Sequence, residues 1–444
     1  MRIMKFGGTS VGSAQRIREV AQLVLDQEAP ILVVLSAKSG TTNALVAIGD
    51  ALQRRELSEA RKQIQVLREE YDAFVAELLP DAEFLSQGKA IVDRHFGWME
   101  NQAAWHPADE THLKELLAQG ELMSTQFFCL YVEMMGQSAT LLPALDFMRI
   151  NEEEEPQVDY LREKLQPMLA AHGQAKLFVT QGYIALNHLD RVDNLKRGGS
   201  DYTASLIGAA LGAEEVQIWT DIDGMHNNDP RFVENTYPIA QLSFDEAAEL
   251  AYFGAKILHP ASILPAQKYN IPVRLKNTMD PEAQGTMISG LSSGQGLKAL
   301  AAKDGITAIK IKSTRMLLAY GFLRKVFEVF EKYSTPIDMI TTSEVAVSLT
   351  IDDASRLASI EEELRQFGTV EIDRKQTIIC MVGDRIAEDQ QTVAKIFRSL
   401  EGISLRMICY GGSRHNISLL VDGEQKVPTL KRLNQGIFDL QEQV

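Results

Sequence analysis

The stretch Arg2-Ile3-Met4-Lys5-Phe6-Gly7-Gly8-Thr9-Ser10-Val11-Gly12-Ser13 decides the fold. Arg2 to Phe6 reads as a strand that runs straight into two glycines. Beyond them Ile17, Val20, Ala21 and Val24 recur at i, i+3, i+4, i+7, the spacing of one apolar helix face, with Ser13 placed as its N-cap. A strand, a glycine turn and a helix start leave backbone N–H groups free to converge on an anion, and the helix N-terminus adds positive potential. Lys5 adds a mobile point charge. The stretch is not the GxxxxGK[ST] phosphate loop, and a plain tight turn is the competing reading, because glycine fits such turns at no steric cost.

Working outward, Ile31 to Leu35, Leu177 to Thr180 and Val216 to Trp219 are short β-rich runs, each followed at once by small or polar residues. They read as buried strands. Alternating with helix-like segments, among them Leu57 to about Leu79 and His112 to Met135, they predict an α/β domain with a mostly parallel sheet. The acidic run from Asn151 to Pro156 reads as a solvated loop. From Leu297 the pattern changes to two weakly similar βαββα units with a period of about 70 residues. Ile337 to Thr342 and Leu405 to Tyr410 correspond, and each precedes another strand, Val345 to Asp352 and Asn416 to Asp422. The first unit has a sixth element, Thr369 to Arg374. The second lacks one, and Leu297 to Ala301 is placed to supply it, so the first unit is inserted within the second.

Composition narrows the class of function. The 444 residues are 45% hydrophobic and 24% charged, as in a globular chain, and no apolar run approaches the ~18 residues of a membrane span. The N-terminus has no signal-peptide layout, so the expected location is cytoplasmic. Cys129, Cys380 and Cys409 are far apart in apolar segments and are expected to be buried thiols. The net charge of −15 argues against a nucleic-acid surface and requires that any anionic substrate meet a local basic cluster.

Four further motifs carry chemistry. Lys196-Arg197-Gly198-Gly199-Ser200-Asp201 leads into an apolar helix; Arg197 is suited to fork onto a carboxylate or phosphate and Asp201 to hold a lysine, against the alternative of a simple helix cap. Trp219-Thr220-Asp221-Ile222-Asp223-Gly224, running on to Asn228-Asp229-Pro230-Arg231, follows a strand where open α/β sheets place ligands. A calcium loop is excluded there by spacing: Gly224 is fourth from Asp221 rather than sixth, and Phe232 stands where a glutamate is required. Glu121 lies mid-helix beside Gly120, a glycine that costs the helix about 1 kcal/mol relative to alanine and so points to a close approach, with an exposed helical glutamate as the alternative. Lys256 lies in Tyr252-Phe253-Gly254-Ala255-Lys256, with a snorkelling surface lysine as its alternative.

Taken in order, Lys5 to Val11, Leu35-Ser36-Ala37, Gly120 to Ser124, Arg197 to Thr203, Trp219-Thr220-Asp221 and Phe253 to Lys256 resemble an aspartate kinase over nearly the whole chain. The resemblance implies an amino-acid-kinase domain over residues 1–290 followed by two ferredoxin-like ACT domains (βαββαβ), one formed by 305–374 and the other by 297–304 with 375–444. It implies ATP-dependent phosphorylation of L-aspartate to 4-phospho-L-aspartate, the first step towards lysine, threonine and methionine. Two other readings stay open, a kinase for another amino-acid carboxylate and a non-catalytic amino-acid sensor. By position, Lys5 becomes the transition-state charge, organised by Asp201, and Gly7, Gly8, Thr9 and Ser36 surround the phosphate. Thr42, Glu121, Arg197 and Ser200 are implied for aspartate, with Glu121 on its ammonium. Thr220, Asp221, His226, Arg231 and Lys256 are implied for ATP, with Mg2+ carried on the nucleotide and no metal held by the protein itself. The acceptor carboxylate, with an ordinary pKa near 4, needs no general base.

The same resemblance implies feedback inhibition by L-lysine and a homodimer paired through the ACT domains. The implied effector residues are Met316, Ala319, Gly321, Phe322, Leu323, Asp338, Thr342, Ser343, Glu344 and Val345, with Asp338 on the effector's amino group. The chain departs from the family pattern at three places: Asp193-Asn194-Leu195-Lys196 replaces a Thr-Thr-Leu-Gly lead into the arginine, His226 stands where a tyrosine is frequent, and Ala319 where a serine is frequent.

Overall fold

The opening stretch folds as its pattern predicts: Arg2–Phe6 is a strand, β1, and Ala14–Leu25 a helix whose N-cap, Ser13, accepts a hydrogen bond from the Arg16 amide. Ile17, Val20, Ala21 and Val24 all face the core. The computed structural model describes residues 1–102, 109–195, 198–254, 258–291, 294, 296–313 and 320–438. Contacts divide the chain into two units, one of Met1–Gly224 with Ile257–Gly290 and one of Met225–Lys256 with Leu291–Val444.

The first unit contains β1, β2 (Ile31–Leu35), β3 (Thr140–Leu141), β4 (Leu177–Gln181), β5 (Ile184–Leu186), β6 (Val192–Asn194) and β7 (Glu215–Thr220). After β8 (Gln241–Ser243), which belongs to the second unit, come β9 (Val273–Asn277) and β10 (Thr286–Ser289). Its main sheet runs β3-β4-β2-β1-β7-β9-β10, parallel throughout except for the β9–β10 pair. Every residue of β2 and β4 is buried, the mark of central parallel strands covered on both faces. Register aligns Phe6 with Leu35 and Trp219, and Leu35 with Gln181. Four strands therefore end level, and Gly7, Ser36, Gly182 and the Thr220–Asp221 turn emerge at one carboxyl edge, beside the point where the chain crosses from one side of β1 to the other.

Helices Thr41–Gln53, Leu57–Leu78, Ala82–Gln102 and Glu110–Met134 wall this unit, with Tyr71, Phe96, Phe127 and Phe128 buried among them. The Ala82–Gln102 helix is not expected from the sequence. Two glycines interrupt its apolar stripe, and Gly88 serves packing: a Cβ there would lie 2.6 Å from Val75 Cγ1. The Asn151–Pro156 run is the exposed turn expected, tied by the Asn151 side chain accepting from the amides of Glu153 and Glu155.

The second unit departs from an unbroken 1–290 first domain by claiming Met225–Lys256. Buried polar bonds explain the claim: Asn228 donates to the Asn434 side chain at 3.2 Å, the Leu300 amide to Asn227 at 2.8 Å, and Lys298 pairs with the fully buried Glu246 at 2.7 Å. The strands β11 (Gly296–Lys312), β12 (Ile340–Thr342), β13 (Ala346–Ile351), β14 (Thr369–Asp384), β15 (Leu405–Cys409) and β16 (Asn416–Asp422) form one six-stranded sheet in the order β12-β13-β11-β14-β16-β15. Leu297–Ala301 and Thr369–Arg374 are thus not separate strands. They are halves of β11 and β14, which pair antiparallel along their whole length across register shifts between Lys303 and Ala308. Each half-sheet has its own core, one around Val326, Leu349 and Ile360 and the other around Ile379, Ile396 and Leu419. Cys380 is buried as expected, whereas Cys129 and Cys409 are only partly covered; all three are free thiols.

Candidate active site

Lys5 is buried, so its ammonium needs a partner, and it finds the Asp201 carboxylate at 2.6 Å. Asp201 comes from the first turn of helix Gly199–Leu211, whose cap is Gly198 in the left-handed region (φ 73°) with no side-chain cap bond. The alternative of a capped helix start is thereby settled: neither Ser200 nor Asp201 caps the helix. Gly198 cannot be otherwise, since a Cβ would fall 1.9 Å from Ser262 Oγ. Ser200 instead accepts a hydrogen bond from Ser36 Oγ at 2.9 Å, tying the end of β2 to the same helix.

In the glycine turn the Gly7 amide is donated to the Trp219 carbonyl at 3.3 Å, so it completes the sheet rather than facing an anion. Among the described residues, no partner takes the amides of Gly8 and Thr9. Gly8 is tightly packed: a Cβ there would lie 3.0 Å from the Ala37 carbonyl oxygen.

Glu121, only 4% exposed, projects from the Glu110–Met134 helix and accepts the Ala37 amide on Oε1 at 3.2 Å. Its Oε2 is buried with no partner among the described residues. Burial raises the carboxyl pKa to about 8, against the smaller opposing pull of the Ala37 amide. The neighbouring Gly120 marks the close approach its sequence position announces: a Cβ would come within 2.8 Å of the Ala37 Cβ and 3.2 Å of Thr41 Cγ2.

Gly8, Ser36, Glu121 and Ser200 line one cleft of about 400 Å³, whereas Lys5 and Asp201 are not on its lining. Gly8, Thr9, Ser36, Thr42, Glu121 and Ser200 were expected in it. Lys38, Ser39, Gly40, Tyr183 and Gly199 line it as well and are not singled out by sequence. Tyr183 could be suspected only from its place directly after Gly182 at the end of β4; its φ of 70°, uncommon for a bulky residue, is invisible in a sequence. The cleft offers the Gly8 and Thr9 amides and the buried Glu121 carboxyl, a pattern that suits an anion beside an amino group.

Residues 1–277 match the Amino acid kinase family, and residues 379–436 match an ACT domain. The chain is 34% identical to lysine-sensitive aspartokinase 3 of Escherichia coli, with 98% of this chain and 99% of that protein covered. It is 36% identical to the chloroplastic aspartokinase 3 of Arabidopsis thaliana, covering 98% of this chain and 81% of that one. Its structure matches the crystal structure of E. coli aspartokinase III in complex with aspartate and ADP with a TM-score of 0.83 and 34% identity, covering 99% and 100% of the two chains. The chain belongs to the aspartokinase family.

Arg197, Lys256, Met316 and Ala319 lie outside the described residues, as does Lys196. In the first unit, Thr220 Oγ1 donates to the Asp221 carboxylate at 3.0 Å just past the end of β7. In the second unit, His226 Nδ1 is 3.0 Å from Thr236 Oγ1, and Arg231 is paired with Asp229 at 2.6 Å.

The expected effector residues separate into two groups. Asp338, its side chain almost fully buried, is paired with Lys303 Nζ at 2.8 Å and receives the Tyr252 hydroxyl at 3.1 Å. Lys303 also reaches Asp352 at 2.8 Å and lies 4.6 Å from the Tyr252 ring centre. Burial pushes the Asp338 pKa up, opposed by Lys303. Gly321, with φ 78°, caps helix Phe322–Lys332; Phe322 turns into the core, while Leu323 stays partly exposed. Ser343 and Val345, by contrast, line a second cleft of about 840 Å³ together with Lys310, Lys312 and Arg365, and Asp338 is not on it. Thr342 ends β12 and Glu344 is exposed in the turn that follows, closed by the Ser343 amide to Ala346.

Proposed function

We propose that this aspartokinase transfers the γ-phosphoryl group of ATP to the side-chain carboxylate of L-aspartate, with the described part of the site divided between a phosphate end at Lys5, Gly8 and Thr9 and an amino-acid end at Glu121. The observation that carries the reading is the buried Glu121 Oε2 with no partner, in a cleft lined also by the glycine turn. A buried carboxylate left in this state is costly, and the ammonium of a free amino acid is the group that relieves it. An N-acylated amino acid has no such ammonium. On this reading Asp201 holds Lys5 extended for the transferring phosphoryl group, Ser36, Thr42 and Ser200 shape the aspartate end, and Thr220 and Asp221 meet the nucleotide. Mg2+ enters on the nucleotide and neutralises phosphate charge.

No general base is required, because the acceptor is already ionised at neutral pH. Catalysis is then positioning and charge stabilisation, which amides, lysine and Mg2+ supply. The test is to incubate the protein with Mg-ATP and trap acyl phosphate with hydroxylamine. Hydroxamate is expected with L-aspartate and not with N-acetyl-L-aspartate; equal yields from both would overturn the reading.

For regulation, the reading is feedback inhibition by L-lysine through Asp338, in a dimer paired through the ACT units. The buried Asp338 carboxylate, already matched to an ammonium, supports it, as does the E. coli relative crystallised in complex with lysine and aspartate. The described residues include no helix long and apolar enough to cross a membrane, and the three free thiols fit a cytoplasmic location.

A further inference from the structure

Asp193 is one of the positions where the chain departs from the family's Thr-Thr-Leu-Gly pattern, and it is buried. A buried aspartate must be compensated, and Lys114 Nζ meets its Oδ2 at 2.8 Å. Asn187 Nδ2 reaches the same oxygen at 3.4 Å, and the Asn194 amide donates to Oδ1 at 2.7 Å. Lys114 also touches the exposed Glu110 at 3.2 Å, and these carboxylates hold its pKa above the ordinary value although burial works the other way.

The two partners sit on elements that both reach the cleft. Lys114 lies on the Glu110–Met134 helix about two turns before Glu121, so the two side chains share a helix face. Asp193 lies in β6, which pairs with β5 in a small hairpin, Ile184 opposite Asn194 and Ala185 opposite Asp193. The residue before that hairpin is Tyr183. Its carbonyl accepts the Leu195 amide at 2.7 Å, its amide donates to Thr203 Oγ1 at 2.9 Å, and its side chain lines the cleft with Glu121.

We propose that Lys114 and Asp193 form a buried clamp that sets the spacing between the Glu121 helix and the Tyr183 hairpin, and so act as positioning residues for the amino-acid substrate. Neither touches the cleft, so they act through Tyr183 and Glu121. A clamp on this wall bears on the amino acid and not on the nucleotide, since the residues it ties together stand at the Glu121 end. The inference rests on aspartate being the substrate, and a wild-type protein that forms no aspartyl hydroxamate removes that premise without touching the clamp.

The test is steady-state kinetics with separate saturation curves for aspartate and ATP. Asp193→Asn and Lys114→Met are each expected to raise KM for aspartate about tenfold while KM for ATP stays within about twofold, the pattern of a misplaced substrate group. Because loss of Lys114 leaves the Asp193 charge buried, two double variants separate positioning from stability. The apolar pair Lys114→Met with Asp193→Leu is expected to melt near wild type yet keep the raised aspartate KM. The charge-swapped pair Lys114→Asp with Asp193→Lys is expected to bring aspartate KM back to within about threefold of wild type. Wild-type aspartate KM in the apolar pair, or no recovery in the swapped pair, overturns the proposal.

Discussion

The Lys5 ammonium and the Asp201 carboxylate, 2.6 Å apart, join the end of the central strand to the first turn of the helix that follows the second glycine loop. Neither side chain is more than 15% exposed, so the pair is fixed by its surroundings and Lys5 cannot swing into solvent. If Asp201 orients Lys5 towards the transferring phosphoryl group, Asp201→Asn keeps the shape and loses the orientation. A fall in kcat of about 10²- to 10³-fold is expected, with KM for aspartate little changed, since the interaction strengthens only in the transition state. Initial-rate measurements check it, and near-normal kcat would remove Asp201 from the machinery.

Glu121 gives a pH dependence of definite sign. In the free protein its carboxyl keeps a proton up to about pH 8, but an aspartate ammonium requires the ionised form. Binding below that pH releases a proton, so KM for aspartate should fall as pH rises towards 8 and then level off. A pH series of KM checks it, and the dependence should vanish in Glu121→Gln.

Stability runs the opposite way for the same residue. Its folded pKa of about 8 is raised above the unfolded value of 4.5, so the folded state holds the extra proton between them. The contribution is whole below the unfolded pKa and is lost as pH rises through the folded one. Glu121→Gln, always neutral, should therefore melt like wild type near pH 4.5 and a few degrees higher than wild type above pH 8. Thermal melts across that range would show the two curves diverging.

What the sequence made legible follows periodicity and glycine. The strands Ile31–Leu35 and Leu177–Gln181 were readable because central parallel strands are apolar throughout, and Gly120 announced the approach of Ala37 because nothing else justifies a glycine there. The Ala82–Gln102 helix escaped because Gly88 and Gly97 interrupt its stripe, although Gly88 serves packing. Leu297–Ala301 and Thr369–Arg374 looked like isolated strands because register shifts near Gly305 (φ 78°) interrupt the alternation along β11. At the site, Lys5, Asp201 and Glu121 were marked by charge in unusual company. Tyr183 was not, since what makes it a wall of the cleft is a backbone angle and a partner, Thr203, that the sequence places far along the chain.

Gly120→Ala sets two magnitudes against each other. Removing a mid-helix glycine gains about 1 kcal/mol of helix propensity. The new methyl would stand 2.8 Å from the Ala37 Cβ and 3.2 Å from Thr41 Cγ2, and such overpacking costs about 1–3 kcal/mol. The net effect on melting should be a modest loss, while the displaced Ala37 amide weakens its hold on Glu121 and raises KM for aspartate. Melting and kinetics together check it: a stabilised variant with normal KM would mean that the loop yields without consequence.

Lys303 already gives Asp338 an ammonium, so if Asp338 receives an effector's amino group, as proposed, the effector must compete with Lys303. Lys303 keeps Asp352 as a second partner at 2.8 Å, so Asp338→Asn leaves its charge compensated and the fold intact. Uninhibited turnover should be close to wild type in that variant, and inhibition by lysine should be weakened by about tenfold or more, the worth of a charge-assisted hydrogen bond. Lys303→Met should act in the reverse direction, because Asp338 is then left buried without its ammonium and the effector's amino group becomes its only strong partner. Lysine titrations of the two variants beside wild type check the pair of predictions: opposite shifts in the half-inhibiting concentration are expected, and parallel shifts would separate Asp338 from effector recognition.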